Sequence, residues 1–321
     1  MTGKEIRAID MDVEAFIRTQ VKEIRKAVGR GLAVNALSGG VDSSVVTALG
    51  HKALGGRLKT YFIDNGIMRE GEPKKVASIF NSLGIPVEVV NAKKAFFKAL
   101  QGITDPEEKR EAVTQTFYKG VFRDLVLESK AKFLLQGTIL TDVDETVAGI
   151  KRQHNVFEQL GIDPQKTFGY RILEPLVQLR KDGVRKVGEA LGLPENVFNR
   201  FPFPGPALAA RIIGEVTPEK IRLVRKATAI TEKALEYTGA FQYMAILHED
   251  RVTGMRNGKR VFGRQIEIRC WESLDARKAT PTRIPYDILE KMAAAIVRDI
   301  PEVVSVTYNI TPKPPSTIEA V

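Results

Sequence analysis

The stretch ALSGGVDSSVV, residues 36–46, decides how the first half of the chain is read. The run GLAVNAL leads into it and reads as a short buried strand ending at Ser38. The segment DSSVVTALGHKAL follows and reads as a helix. A strand, a glycine turn and a helix N-terminus together make a cradle for phosphate. The glycines let backbone N–H groups approach an anion, and the helix presents the positive end of its dipole. A P-loop of the form GxxxxGK[ST] adds a lysine that reaches the β- and γ-phosphates. Here Ser38-Gly39-Gly40-Val41-Asp42-Ser43-Ser44 has no lysine. Gly39 and Gly40 allow close approach, and Ser43 and Ser44 add hydroxyl donors. Asp42 would repel phosphate unless Mg²⁺ lies between them or the carboxylate caps the helix. For SGG alone, a tight turn with a serine cap is the plain structural alternative. The strand and helix on either side favour the nucleotide reading.

Outward from the loop, strands and helices alternate. LKTYFID and IPVEVVNA read as strands, EPKKVASIFNSLG as a helix, residues 105–130 as a longer helical stretch, and AKFLLQGT as a further strand. Val13, Phe16, Ile17, Val21 and Ile24 give the N-terminal segment helical spacing. This pattern predicts an α/β fold with a doubly wound parallel sheet. From about 140 to 168 no period persists, and so long a polar connection reads as a lid. RILEPLVQLRKDGVRKVGEALGLP then closes the first domain, residues 1–200, with a helix.

Pro202 to Pro206 hold three prolines and a glycine in five residues, which punctuates the chain between domains. In residues 201–321, Thr217 and Pro218 start a helix that Gly239 stops. RQIEIRCWE alternates Ile266, Ile268 and Cys270 against Glu267, Arg269 and Trp271, as a half-buried strand does. Ile288, Met292, Ala295 and Ile296 share a helix face, and Val304, Val306, Tyr308 and Ile310 alternate. The second domain therefore reads as a smaller α+β unit with an antiparallel sheet.

Composition excludes several classes. The 321 residues suit two domains, and no run of about 18 apolar residues offers a membrane span. The N-terminus is scattered with charge and lacks the apolar core of a secretory signal. The single cysteine, Cys270, leaves no disulfide framework, so a cytoplasmic location is expected. His51, His154 and His248 are too dispersed for a zinc site. The net charge of +10 suits nucleotides and pyrophosphate. No zinc-finger, RNP or KH signature accompanies that charge, so nucleic-acid binding is not predicted.

SGGVDSS resembles the pyrophosphatase loop of the N-type ATP pyrophosphatases, a PP-loop superfamily with an adenine nucleotide alpha hydrolase-like sheet. Members cleave ATP between the α- and β-phosphates, adenylate a substrate oxygen and release pyrophosphate. A nitrogen or sulfur nucleophile then displaces AMP. DNGIMREGE (64–72), GITDPEEKR (102–110), QGTI (136–139), PFPGP (202–206), RIIGEVTPEKI (211–221) and KPPSTIE (313–319) are similar to the ATP-pyrophosphatase subunit of GMP synthases. That resemblance implies ATP and Mg²⁺, and XMP aminated at its C2 oxygen through an adenylated intermediate. It also implies a homodimer built through the second domain. No Cys/His/Glu glutaminase triad can be assembled around Cys270. Ammonia would come free or from a separate glutamine amidotransferase subunit.

The resemblance carries over residue by residue. Ser38, Gly39, Gly40, Val41, Asp42, Ser43 and Ser44 would hold ATP, with Asp64 and Gly137 beside them. Asp42 and Asp142 would be catalytic and bind the metal, within an acidic cluster that includes Asp144 and Glu145. Lys151 in the lid would neutralise charge on the transferring phosphate. His154, Asn155, Lys181 and Arg185 match further family positions. Arg211, Lys278, Lys313 and Glu319 would be substrate-side residues.

Several departures fall on the substrate side. The family's lid, Lys-Ser-His-His-Asn-Val-Gly-Gly, is Lys151-Arg152-Gln153-His154-Asn155-Val156-Phe157-Glu158 here. Its Met-Thr-Ala is Arg277-Lys278-Ala279, and its PGPGL ends Pro206-Ala207-Leu208. The alternative is a paralogue that activates another nucleotide or base, for amidation or for thiolation by a sulfur donor.

Overall fold

The computed structural model describes residues 5–147, 170–199, 203–274 and 276–320. The chain runs α1 (Val13–Val28), β1 (Ala33–Ala36), α2 (Val41–Leu54), β2 (Leu58–Asp64), α3 (Glu72–Ser82), β3 (Val87–Asn91), α4 (Lys93–Leu100) and α5 (Pro106–Gln115). A π-helical stretch (Thr116–Phe122) leads into α6 (Arg123–Ser129), β4 (Phe133–Leu135), α7 (Leu140–Val147), β5 (Arg171–Leu173), α8 (Lys181–Ala190) and α9 (Glu195–Phe198). After these come α10 (Pro218–Leu235), β6 (Gln242–Arg256), β7 (Lys259–Glu272), β8 (Thr280–Pro281), α11 (Tyr286–Asp299) and β9 (Val303–Tyr308). These elements form two compact units. One comprises Met1–Asp64, Glu72–Asn91 and Phe117–Arg200; the other comprises Asn65–Gly71, Ala92–Thr116 and Phe201–Val321.

The first unit is the expected α/β fold. Its five strands are all parallel, in the order β3-β2-β1-β4-β5. The order reverses between β1 and β4. In open parallel sheets the loops beyond the strand ends at such a reversal form the ligand crevice. The loop 38–44 leaves β1 there, and Gln136, Gly137 and Thr138 leave β4 beside it. Helices cover the sheet because their stripes are apolar. α1 is capped by Asp12, whose Oδ1 accepts the Ala15 N–H at 2.9 Å, and it buries Phe16, Ile17, Val21, Ile24 and Val28. α2 is buried nearly all round, from Val41 through Leu54, as a central helix must be.

Two local findings differ from the sequence reading. Residues 140–147 form α7 rather than irregular lid. Asp142 sits at the third helical position, and its Oδ2 accepts the Ile139 N–H at 2.9 Å, one half of a capping box. The remainder of that segment, with Lys151, His154 and Asn155, lies outside the described residues. The sheet also gains β5, three residues that sequence pattern alone did not mark as a strand.

In the second unit β7 pairs antiparallel with β6 and β8 and parallel with β9. Thr217 caps α10, its Oγ1 accepting the Lys220 N–H at 3.2 Å, with Pro218 at the first helical position. Register places Gln242, Met244 and Ile246 of β6 on the same face as Glu267, Arg269 and Trp271 of β7. The alternation in RQIEIRCWE suggested that this face was the exposed one. It is covered: Trp271 is 1% exposed and packs with Met244, Ile246, Ala279 and Ile318. The C-terminal residues fold back over it, which no local period could reveal. In the 304–310 alternation Val304, Val306 and Tyr308 are half-buried and Thr307 is exposed. Val303 is the fully buried residue, and Ile310 lies beyond the strand and exposed.

Lys109 of α5 is fully buried and donates to the Ile212 carbonyl at 2.8 Å. Burial, with Lys220 adding repulsion, brings its ammonium down from 10.5 to about 8, against the pull of Glu249 and Asp105. The unfolded chain therefore holds more protons than the folded one between those two values, and stability rises with pH across that window. We expect the stability of the wild type relative to Lys109→Met, measured by urea unfolding, to increase from pH 8 to 10.5. A constant gap would show that the ammonium is not strained by its burial.

Candidate functional site

The loop after β1 is built from below. Asn35, fully buried in β1, donates from Nδ2 to Thr47 Oγ1 at 2.6 Å, and its Oδ1 accepts from Thr60 Oγ1 at 2.8 Å. Thr47 Oγ1 in turn donates to the Ser43 carbonyl at 2.7 Å. This buried chain ties β1, β2 and α2 together beneath the turn. Above it, Ser43 Oγ accepts the Ser38 N–H at 3.2 Å, lies 2.9 Å from Ser38 Oγ and donates to the Gly40 carbonyl at 3.1 Å. Gly39 has φ +79°, a conformation that favours glycine. Gly40 is the extended residue that opens α2.

Gly137 faces this loop from the end of β4. A Cβ there would lie 3.1 Å from both the Asp42 carbonyl carbon and the Ser43 nitrogen. Glycine lets the two backbones approach closely, where a side chain would push them apart by a few tenths of an ångström. Asp42 carries the charge of the loop. Its Oδ2 accepts from Lys181 Nζ at 2.7 Å, from the first turn of α8, and its Oδ1 is buried with no hydrogen-bond partner among the described residues.

Ser38, Gly40, Asp42, Ser43, Gly137 and Asp142 all line one cavity of about 250 Å³. Part of its remaining wall is aromatic: Phe117, Tyr118 and Phe122 come from the π-helical stretch, with Phe117 and Phe122 stacked at 5.7 Å between centroids. π-Helical turns occur often at functional sites, where they re-aim side chains. The structure does not bring every sequence candidate to this cavity. Val41 is buried and can offer only its backbone. Ser44 is fully buried, its hydroxyl facing inward. Asp64 ends β2 opposite Asn91 and lies outside the lining.

In the second unit a cavity of about 630 Å³ is lined by Glu107, Arg110, Gln242, Lys313, Thr317 and Glu319, among others. Glu319 Oε1 accepts from Gln242 Nε2 at 2.6 Å. Lys313 Nζ donates to the Ala276 carbonyl at 2.8 Å. Arg211 is fully buried, its Nε 3.7 Å from Glu319 Oε2 and its guanidinium 4.8 Å from the Phe203 ring centre. Burial works against its charge, and Glu319 offsets that cost. Arg211 thus stands behind Glu319 rather than in the cavity wall. Lys278 is exposed and outside the lining.

Family models match both halves of the chain: NAD synthase over residues 10–139 and GMP synthase C terminal domain over residues 229–320. A subunit of the glutamine-hydrolyzing GMP synthase of Archaeoglobus fulgidus is 48% identical over 309 residues, spanning 96% of this chain and 99% of that one. The corresponding subunit of the Thermococcus kodakarensis enzyme is 44% identical over 309 residues, 95% of this chain and 99% of that one. The chain belongs to this family of GMP synthase subunits. It is therefore a ligase of the carbon–nitrogen class, and ATP use goes with the family. The glutamine-hydrolyzing GMP synthase of Pyrobaculum aerophilum is 46% identical over 309 residues, but these span only 60% of its length.

Set against GMP synthase chemistry, sequence reasoning missed the supports of the loop. Asn35, Thr47 and Thr60 look like ordinary polar residues in a strand–helix pattern. The one available signal is an asparagine within an otherwise apolar strand. Phe117 and Tyr118 give no signal, because a π-helical turn breaks the 3.6 period. We expect Gly137→Val to weaken ATP use by about a hundred-fold, since a shift of the loop by about an ångström misplaces its donors. The measurement is KM for ATP in pyrophosphate release. An unchanged KM would show that the contact between the two backbones does not set the loop.

Proposed function

We propose that this chain makes GMP by ATP-dependent amination of XMP, with ATP held in the first unit and the acceptor nucleotide in the second. The observation that carries the ATP half is a lysine-free loop at the sheet's switch point, with hydroxyls and a helix N-terminus facing one cavity. In the reaction the xanthine C2 oxygen attacks the α-phosphorus, a P–O bond to that oxygen forms, and the α–β bridge breaks to release pyrophosphate. Ammonia then adds at C2 and loses a proton, and the C2–O bond breaks to release AMP.

The loop backbone at Gly39 and Gly40, the N-terminal turn of α2 and the Ser38 and Ser43 hydroxyls bind the pyrophosphate end. Lys181 supplies a cation at Asp42, and the Phe117–Phe122 wall takes the adenine face. Asp42 and Asp142 line the same cavity, and Asp42 Oδ1 has no hydrogen-bond partner among the described residues. Two carboxylates beside phosphate oxygens suit Mg²⁺, which usually binds through one or two carboxylates and completes its shell with phosphate and water. Bound there, Mg²⁺ neutralises developing phosphate charge. Lys151 adds positive charge to the same chemistry.

On the acceptor side, Lys313 and Glu319 bind the nucleotide from the cavity wall, and a volume of about 630 Å³ falls in the usual ligand range. Arg211 serves by holding Glu319, and Lys278 by contact at the surface. The names of the relatives support a separate glutamine amidotransferase as the source of ammonia. The greater length of the Pyrobaculum aerophilum relative, whose name carries no subunit designation, supports the same partner. We place the enzyme in the cytoplasm as a homodimer. No helix among the described residues is long and apolar enough to cross a membrane.

The test is pyrophosphate release from Mg-ATP on adding XMP and ammonium, with GMP as product. Asp42→Ala should reduce turnover by about a hundred-fold or more, through lost charge organisation at the transferring phosphate. If XMP elicits no pyrophosphate while another nucleotide does, the acceptor assignment fails and the ATP assignment stands.

A further inference from the structure

The covered face of β7 carries a cluster that the reaction does not use. Glu267 is held from three sides: His248 Nε2 lies 2.7 Å from Oε2, and Arg269 Nε and Asn309 Nδ2 donate to Oε1 at 2.5 and 3.0 Å. Burial opposes ionisation of this carboxyl, but the hydrogen bonds from His248, Asn309 and Arg269 override it and hold it at about 2. Glu267 is thus a fixed anion, and its chief dependant is Arg269.

With Nε committed to Glu267, Arg269 turns Nη1 to the C-terminal segment. It donates to the Thr317 carbonyl at 2.8 Å and reaches the Glu319 and Ile318 carbonyls at 3.3 and 3.4 Å. These same three residues line the second-unit cavity. Ile318 packs on Met244 and Trp271. Chain termini ordinarily fray because little holds them. Here a guanidinium with charge-assisted bonds holds three successive carbonyls, and its planar fork suits that task as an ammonium does not.

We infer that Arg269, fixed by Glu267, is the positioning residue of the C-terminal segment, setting Glu319 and the backbone beside it for the acceptor nucleotide. Arg269 is not among the residues of the cavity wall and acts through the segment that is. The inference rests on the proposed reading of this segment as substrate-side, and its test separates the two.

Arg269→Lys keeps the charge and loses the fork. Glu267→Gln keeps the shape and removes the negative charge that fixes Arg269, leaving a weaker neutral acceptor, and serves as the second variant should the first fold poorly. Hydrogen exchange on the full chain without nucleotide should show the amides of residues 317–320 exchanging about ten-fold faster, with β6 and β7 unchanged. In steady-state kinetics KM for XMP should rise about ten-fold while KM for ATP stays within about two-fold. Unchanged tail exchange overturns the inference. So does faster tail exchange with an unchanged KM for XMP, and so does a parallel loss in both KM values with β6 and β7 loosened. If the wild type makes no GMP, the acceptor reading falls, and tail exchange alone upholds or overturns the clamp.

Discussion

The first unit depends on two backbones touching at Gly137. β4 ends against the turn that follows β1, and a single added carbon at Gly137 would press on both backbones at 3.1 Å. That contact is possible because the strand order reverses at this place, so the two loops diverge and leave a crevice. The buried Asn35–Thr47–Thr60 chain supports the turn from below, where a polar group must be hydrogen-bonded to be tolerated. Glycine above and satisfied polar groups below fix a loop whose own sequence, rich in glycine and serine, would otherwise be loose.

The second unit solves a different problem. A sheet with residues such as Trp271 and Met244 on one face needs a cover. The chain supplies it from its last residues, so the packing that buries Trp271 also delivers Lys313 and Glu319 to a cavity. Stability and site placement are therefore coupled there. Removing the cover would expose apolar surface and disperse the charged groups together.

Much of this was legible in the sequence, and what was not has physical reasons. Alternation of strand and helix predicted the parallel sheet, because fully buried strands and amphipathic helices carry distinct periods. The helix start at Thr217 and Pro218 was equally local. α7 escaped because two turns are too short to show a period and its capping carboxylate, Asp142, read as part of an acidic turn. The face bearing Glu267, Arg269 and Trp271 escaped because its cover comes from some fifty residues away. For the same reason, Arg211 read as a contact residue, although the structure places it behind Glu319. Burial of a charged group is a tertiary property, and residue type alone points the other way.

A carboxylate inside a phosphate loop is the sharpest conflict in the chain, and the structure shows how it is contained. Asp42 shares its loop with groups suited to anions, and the repulsion would defeat binding if the charge stood alone. Lys181 meets one oxygen at 2.7 Å, while the other is buried and lacks a hydrogen-bond partner among the described residues. A P-loop lysine would neutralise phosphate directly, as a point charge at the β- and γ-phosphates. Here the lysine arrives from a separate helix and meets the carboxylate. Asp42 and Lys181 thus form a balanced pair, and under the proposed function a polyphosphate would meet that pair rather than a lone negative charge. Under the proposed function, such an arrangement would suit an enzyme that holds pyrophosphate and lets it leave, where a lysine fixed on the terminal phosphates would favour keeping it.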